Sequence, residues 1–185
     1  MGARTYWRAP VPPLGYSDGS AWATASLGDL SPVPPVTVPA ILEIGTRVHV
    51  TAWGVTTTTV AGTLTVGVYW TPIGSAISSG IALGVSTAVT PIVLTSATWE
   101  LEWEGEVRGL STTAGGSTGS IKGAGKLRMP ASLTAYQADY IIPTTDAAKT
   151  VSIPTSTPNN LMIGATPSVT TTSITCQHLD VELIG

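Results

Sequence analysis

Residues 99–108, WELEWEGEVR, alternate without a break. Trp99, Leu101, Trp103, Gly105 and Val107 share one parity, and Glu100, Glu102, Glu104, Glu106 and Arg108 share the other. A period of two separates those sets onto opposite faces of a strand, whereas a helix would scatter both around its circumference. Four of the six glutamates of the chain are therefore predicted to stand on one strand face, about 7 Å apart. Like charges in a row repel unless water or a facing basic row compensates them.

A basic row follows. After the glycine-rich segment GLSTTAGGSTG comes SIKGAGKLRM, residues 120–129. Here Ile121, Gly123, Gly125, Leu127 and Met129 alternate with Lys122, Ala124, Lys126 and Arg128. A hairpin between the two segments pairs Glu106 with Lys122, Glu102 with Lys126 and Glu100 with Arg128. The same register puts Leu101 beside Leu127, Val107 beside Ile121 and Trp103 over Gly125, where an indole covers the hole left by a missing side chain. Both faces select one register. Exposed cross-strand pairs contribute only about 0.2–1 kcal/mol each, so the ladder specifies register more than it adds stability.

Paired carboxylates beside tryptophans also raise glycoside hydrolysis. Retaining enzymes hold their carboxyls about 5–5.5 Å apart and inverting ones about 6.5–9.5 Å, so the spacing permits it. A general acid, however, needs burial or an apolar pocket, and glutamates facing lysines have the opposite surroundings. The reading is structural, with no catalytic residues. His49 and His178, with Asp180 or Glu182, have no spacing that requires a metal, so no metal site is assigned. GAGKL, residues 123–127, lacks the first glycine, the Ser/Thr and the following helix of a phosphate-binding loop. No G-x-S-x-G elbow exists. Cys176, the single cysteine, lies among alternating apolar residues and reads as a small core side chain; no disulfide framework is possible. No cofactor is expected.

The rest of the chain is β-like. Charged residues are 10% of the 185, against roughly 25% in ordinary domains, and Thr, Ser, Gly and Pro take their place. Leu42, Ile44, Val48, Val50 and Ala52 alternate with Glu43, Arg47 and His49, and Leu64, Val66, Val68 and Trp70 with Thr63, Thr65, Gly67 and Tyr69. Each predicts a half-buried strand, with TTTTVAG as the turn between them. Shorter strands are predicted at 81–85, 89–94, 140–142, 151–153 and 161–163. In SITCQHLDVELIG the apolar parity changes between Cys176 and Leu179, which predicts a β-bulge near Gln177–His178. The fold class is all-β, a jelly-roll-like antiparallel sandwich over residues 41–185 that serves as the oligomerisation domain.

Residues 1–40 differ. They hold seven of the 14 prolines, which exclude a helix or a central strand. A linker would be polar; this segment carries Tyr6, Trp7, Tyr16 and Trp22. It is expected to be an extended attachment arm, with Arg4, Tyr6, Trp7, Arg8, Tyr16 and Trp22 as partner-binding residues. A net charge of −3 argues against nucleic acid as a partner. No apolar run approaches the roughly 20 residues of a membrane helix, and the N-terminus lacks the apolar region of a secretory signal.

Taken in order, GTRVHVTAWG (45–54), TLTVGVYW (63–70), WELEWEGEVR (99–108), GSIKGAGKL (119–127) and SITCQHLDVELIG (173–185) resemble β-rich head decoration or minor virion structural proteins of tailed phages, many from phages of actinobacteria. The resemblance covers most of residues 41–185. It implies a non-enzymatic capsid decoration (cement) protein, a jelly-roll module that in that group is commonly a trimer, bound to the major capsid protein on the capsid exterior after assembly in the host cytoplasm. The alternative within the same group is a minor tail or host-attachment module that binds a receptor or carbohydrate. Neither implies nucleic-acid or membrane binding.

Overall fold

The computed structural model describes residues 6–8, 22–24, 26–31, 36–38, 42–110, 118–130, 138–155 and 157–185. Its strands are β1 (Tyr6–Arg8), β2 (Gly28–Asp29), β3 (Val36–Val38), β4 (Arg47–Thr58), β5 (Leu64–Pro72), β6 (Ile81–Val85), β7 (Leu94–Leu110), β8 (Thr118–Met129), β9 (Ala138–Ile142), β10 (Thr150–Pro154), β11 (Asn159–Pro167) and β12 (Thr172–Ile184). Two single-turn 3-10 segments, Ile77–Ser79 and Ala147–Lys149, are the helical elements among the described residues.

The strands form two antiparallel sheets. One runs β1-β12-β4-β7-β8-β10, with β9 sharing the free edge of β8; the other runs β2-β11-β5-β6, with β3 sharing the free edge of β11. The first and last long strands pair as β4·β12, and the next ones inward pair as β5·β11. That nesting rolls the chain into the jelly-roll-like sandwich expected from the alternation.

The hairpin β7·β8 has the predicted register from Glu100 to Val107, with Glu100 opposite Arg128, Glu102 opposite Lys126, Glu106 opposite Lys122 and Trp103 opposite Gly125, and it shifts by one residue between Val107 and Gly109. The bulge in β12 falls at Gln177, between Cys176 and His178. Inward residues of β4, β7, β8 and β12 meet Leu64, Val66, Val68 and Trp70 of β5 and Leu161, Ile163 and Ala165 of β11 in one core. Cys176 is fully buried in it, as expected.

Trp103 is fully buried at the centre of this core. A side chain at Gly105 or Gly123 would overlap its six-membered ring, and one at Gly84, across the sandwich on β6, would stand 2.8 Å from the pyrrole edge. The indole thus lies over Gly105 and Gly123. Gly125, the residue predicted beneath it, is its backbone neighbour, and a Cβ there would strike the β7 main chain at Glu102. The difference is one of direction: the ring leans along the strand toward the next pair on the same face.

Other differences have local causes. β4 continues through Thr58, so the first three residues of TTTTVAG are strand. Thr56 and Thr58 are buried, and Thr56 is accommodated because its hydroxyl donates to the Ser173 carbonyl at 3.0 Å. Ile44, assigned to the buried parity, is 65% exposed. Residues 43–46 form a turn instead, with the Thr46 N–H donating to the Glu43 carbonyl at 3.0 Å and Gly45 at φ +93°. The 89–94 strand reduces to a bridge between Val89 and Leu64, since Pro91 cannot donate to a ladder. β5 is buried on both faces rather than one. Tyr69 packs with Met162 and Ile77 in a second cluster outside the smaller sheet, supported by Leu27 and Val85.

Parts of residues 1–40 pair with the sandwich of their own chain. β1 borders β12, and β2 and β3 border β11, all at sheet edges. Leu30 and Val38 are fully buried in the main core.

Replacing Gly123 by Val is expected to cost about 1–3 kcal/mol through overpacking, and Trp103→Ala about 3–5 kcal/mol through the cavity left, both read from urea unfolding. Burial raises the Tyr69 pKa above its ordinary 10.0. Its folded-state pKa then exceeds its unfolded one, so the stabilisation is present below pH 10 and is lost as pH rises through the folded value. Tyr69→Phe is expected to flatten the alkaline limb of a pH–stability profile; an unchanged limb would mean Tyr69 does not contribute to it.

Candidate binding face

The outward parity of the larger sheet assembles rows that run across four or five strands. One row is Asp139, Arg128, Glu100, Trp53 and His178, from β9, β8, β7, β4 and β12 in turn. The next is Ile141, Lys126, Glu102, Thr51 and Asp180. A third carries Ala124, Glu104, His49 and Glu182. Because β4 separates β7 from β12, the acids of the hairpin meet groups from the centre of the sheet as well as from β8.

Each hairpin glutamate has a cation. Arg128 Nη1 lies 3.1 Å from Glu100 and its Nε 3.0 Å from Asp139. The hydrogen bond and charge of Asp139, then Glu100, raise the Arg128 pKa further, leaving it a fixed cation. Lys126 lies 3.3 Å from one oxygen of Glu102, and His49 Nε2 3.7 Å from the other. His49 Nδ1 lies 3.8 Å from Glu182, so that imidazole bridges two carboxylates. Arg47 reaches diagonally to Glu104 at 3.1 Å. Glu106, opposite Lys122 in register, makes its ion pair with Arg108 at 3.2 Å.

These acids are solvated and ion-paired, without the apolar wall that a general acid requires. Among the described residues, no group of three His, Cys, Asp or Glu side chains is arranged to hold a metal ion. His49 and His178, distant in sequence, do reach the same face, but they stand two rows apart on β4 and β12. What the arrangement offers chemically is a flat array of alternating hydrogen-bond donors and acceptors.

An aromatic interrupts the array. Trp53 is 46% exposed in the middle of β4. His178 stacks against it with centroids 5.9 Å apart and planes at 21°. The bulge at Gln177 is what sets His178 opposite Trp53, since it shifts the parity of β12 between Cys176 and His178. On the β7 side of the indole lies a groove of about 220 Å³, lined by Thr51, Trp53, Glu100, Glu102, Lys126 and Arg128 over the backbone of Ala52 and Leu101. Sequence reading passed over Trp53. Its signal was its parity: it alternates with Val50 and Ala52 and so shares the polar side of the strand with His49 and Thr51.

Of the residues expected to bind a partner, Arg4 and Tyr16 lie outside the described residues. Tyr6, Trp7 and Arg8 form β1, opposite Ile184, Leu183 and Glu182. Trp22 is half-buried against its own chain. Its backbone exchanges hydrogen bonds with Ile174 at 2.9 and 3.1 Å, and its indole N–H donates to the carbonyls of Thr24 and Ser26. The structure therefore places Trp22 and β1 at two different points along β12 and does not gather them with Trp53.

Compared with protein families, curated proteins and solved structures, the chain has no match.

The ladder makes a testable claim about register. Glu102→Lys is expected to lower the urea midpoint, and adding Lys126→Glu to recover most of the loss. A double variant no more stable than the single one would show that the two charges are not coupled.

Proposed function

We propose that this chain is a non-enzymatic structural protein of a phage virion, a decoration protein that binds the major capsid protein on the capsid exterior and associates as a trimer. The observation that carries the non-enzymatic part is the ladder itself. The carboxylates that suggest catalysis are each held by a neighbouring cation on an open sheet face. The virion assignment rests on the ordered resemblance of five strand segments between residues 45 and 185 to tailed-phage decoration proteins. A low-charge, hydroxyl-rich sandwich suits a module packed among copies of itself, and closed symmetry multiplies weak contacts through effective concentration.

Attachment is assigned to the N-terminal segment, with Arg4, Tyr6, Trp7, Arg8 and Tyr16 toward the capsid. Trp22 differs from these because its indole is already engaged with its own chain. The exposed indole of Trp53 favours a second reading, a minor tail or host-attachment module whose sheet face meets a ligand.

Deleting residues 1–19 removes β1 from the edge of β12 but keeps Trp22, Leu30 and Val38, and so keeps the Trp22 bridge and the core contacts of the sandwich. The truncated protein is expected to stay folded and oligomeric by light scattering while losing its co-sedimentation with capsids. Co-sedimentation equal to that of the full chain would contradict the attachment role.

A further inference from the structure

We infer that the groove beside Trp53 is a binding site for one ring of a neutral saccharide. Of the exposed large apolar residues, Ile44, Val60, Ile73 and Val93 lie outside the strands and Ile141 stands on the edge strand β9, whereas Trp53 stands on a strand with hydrogen-bonded neighbours on both sides. A solvent-exposed indole on so rigid a base presents a flat apolar surface with a fixed orientation. His178 covers the side toward β12 at 5.9 Å, and the groove of about 220 Å³ opens toward β7 and β8. The apolar C–H face of a pyranose stacks on such a surface, which is the apolar half of sugar recognition.

The polar half surrounds it. Glu100 and Glu102 supply acceptors, and Lys126 and Arg128 supply donors. Arg128 uses Nε and Nη1 for Asp139 and Glu100, while its Nη2 belongs to neither of those contacts. Adjacent sugar hydroxyls both donate and accept, so they suit a floor on which the two kinds of group alternate 3.1–3.3 Å apart. Two carboxylates and two cations line the groove and cancel in charge. An ionic ligand of either sign would have to displace an existing counter-ion, which selects a neutral ligand. The volume lies below the roughly 300–1,000 Å³ of sites that enclose a drug-sized ligand, which suits one ring of a longer chain crossing the face.

A second copy of this chain is a poorer occupant. The core of a protein interface is depleted in charged residues, and here four of them ring the single indole. Binding rather than hydrolysis is assigned, because both carboxylates are exposed and ion-paired. The site stands whether the chain sits on a head or a tail, so its failure would leave the virion proposal intact, and the reverse.

The test is a glycan array carrying maltohexaose, cellohexaose, mannohexaose and sialylated and sulfated glycans, probed with the full chain. At least one neutral oligosaccharide is expected to bind, with the sialylated and sulfated ones weaker. In titration calorimetry with that oligosaccharide, Trp53→Ala is expected to weaken binding roughly tenfold or more, and Trp53→Tyr to retain part of it because a ring remains. Both variants are expected to melt near the wild-type temperature, since the indole is exposed. Four results would overturn the inference: no glycan bound, anionic glycans preferred, binding unaffected by Trp53→Ala, or an oligomer that Trp53→Ala dissociates in light scattering.

Discussion

One indole organises this sandwich. Trp103 needs more room than a position between two sheets ordinarily gives, and the chain supplies it by removing side chains at Gly105 and Gly123 on its own sheet and at Gly84 on the facing one. The three glycines come from three strands, so the slot exists only when β7, β8 and β6 are placed correctly with respect to one another. A shift of one residue in the hairpin would drive the glutamates inward and leave the slot without its ring. The packing has a polar cost: the Trp103 indole N–H finds no acceptor among the described residues, whereas that of Trp99 donates to the Thr175 carbonyl at 3.1 Å.

The outer face follows from the same register. With Trp99, Leu101 and Trp103 facing inward, Glu100, Glu102 and Glu104 must face water, where β8 and β4 meet them with Arg128, Lys126 and Arg47. The bulge at Gln177 then decides what stands beside Trp53. Residues 179, 181 and 183 keep their apolar side chains inward, Cys176 keeps its place in the core, and the extra residue brings His178 outward against the indole. Thus the core register and one irregularity in β12 produce a face on which an aromatic platform sits among balanced charges.

Much of this was legible in the residues. Alternation of two in 99–108 and 120–129 carried both faces of the hairpin, and a parity change carried the bulge. Other features were hidden because parity reports only which side a residue takes. It cannot say that the Trp103 ring leans over Gly123 rather than Gly125, nor that the buried Thr56 of β4 would find the Ser173 carbonyl on β12. Nor does it show a second apolar layer over Tyr69, which depends on Ile77 and Leu27 arriving from elsewhere in the chain. Trp53 was readable as an aromatic on a polar parity, but its stacking partner is 125 positions away in sequence, and only the β4·β12 pairing joins them.

The proposed role of this sandwich is as a component of a virion surface rather than as an enzyme. Cryo-microscopy of particles purified from cells that produce the protein during phage infection tests it most directly. Under the proposed role, density matching two packed antiparallel sheets is expected on the exterior of the head, in threefold groups, with the N-terminal segment against the capsid lattice. Particles that lack the protein altogether, with the chain recovered only free in the lysate, would contradict it.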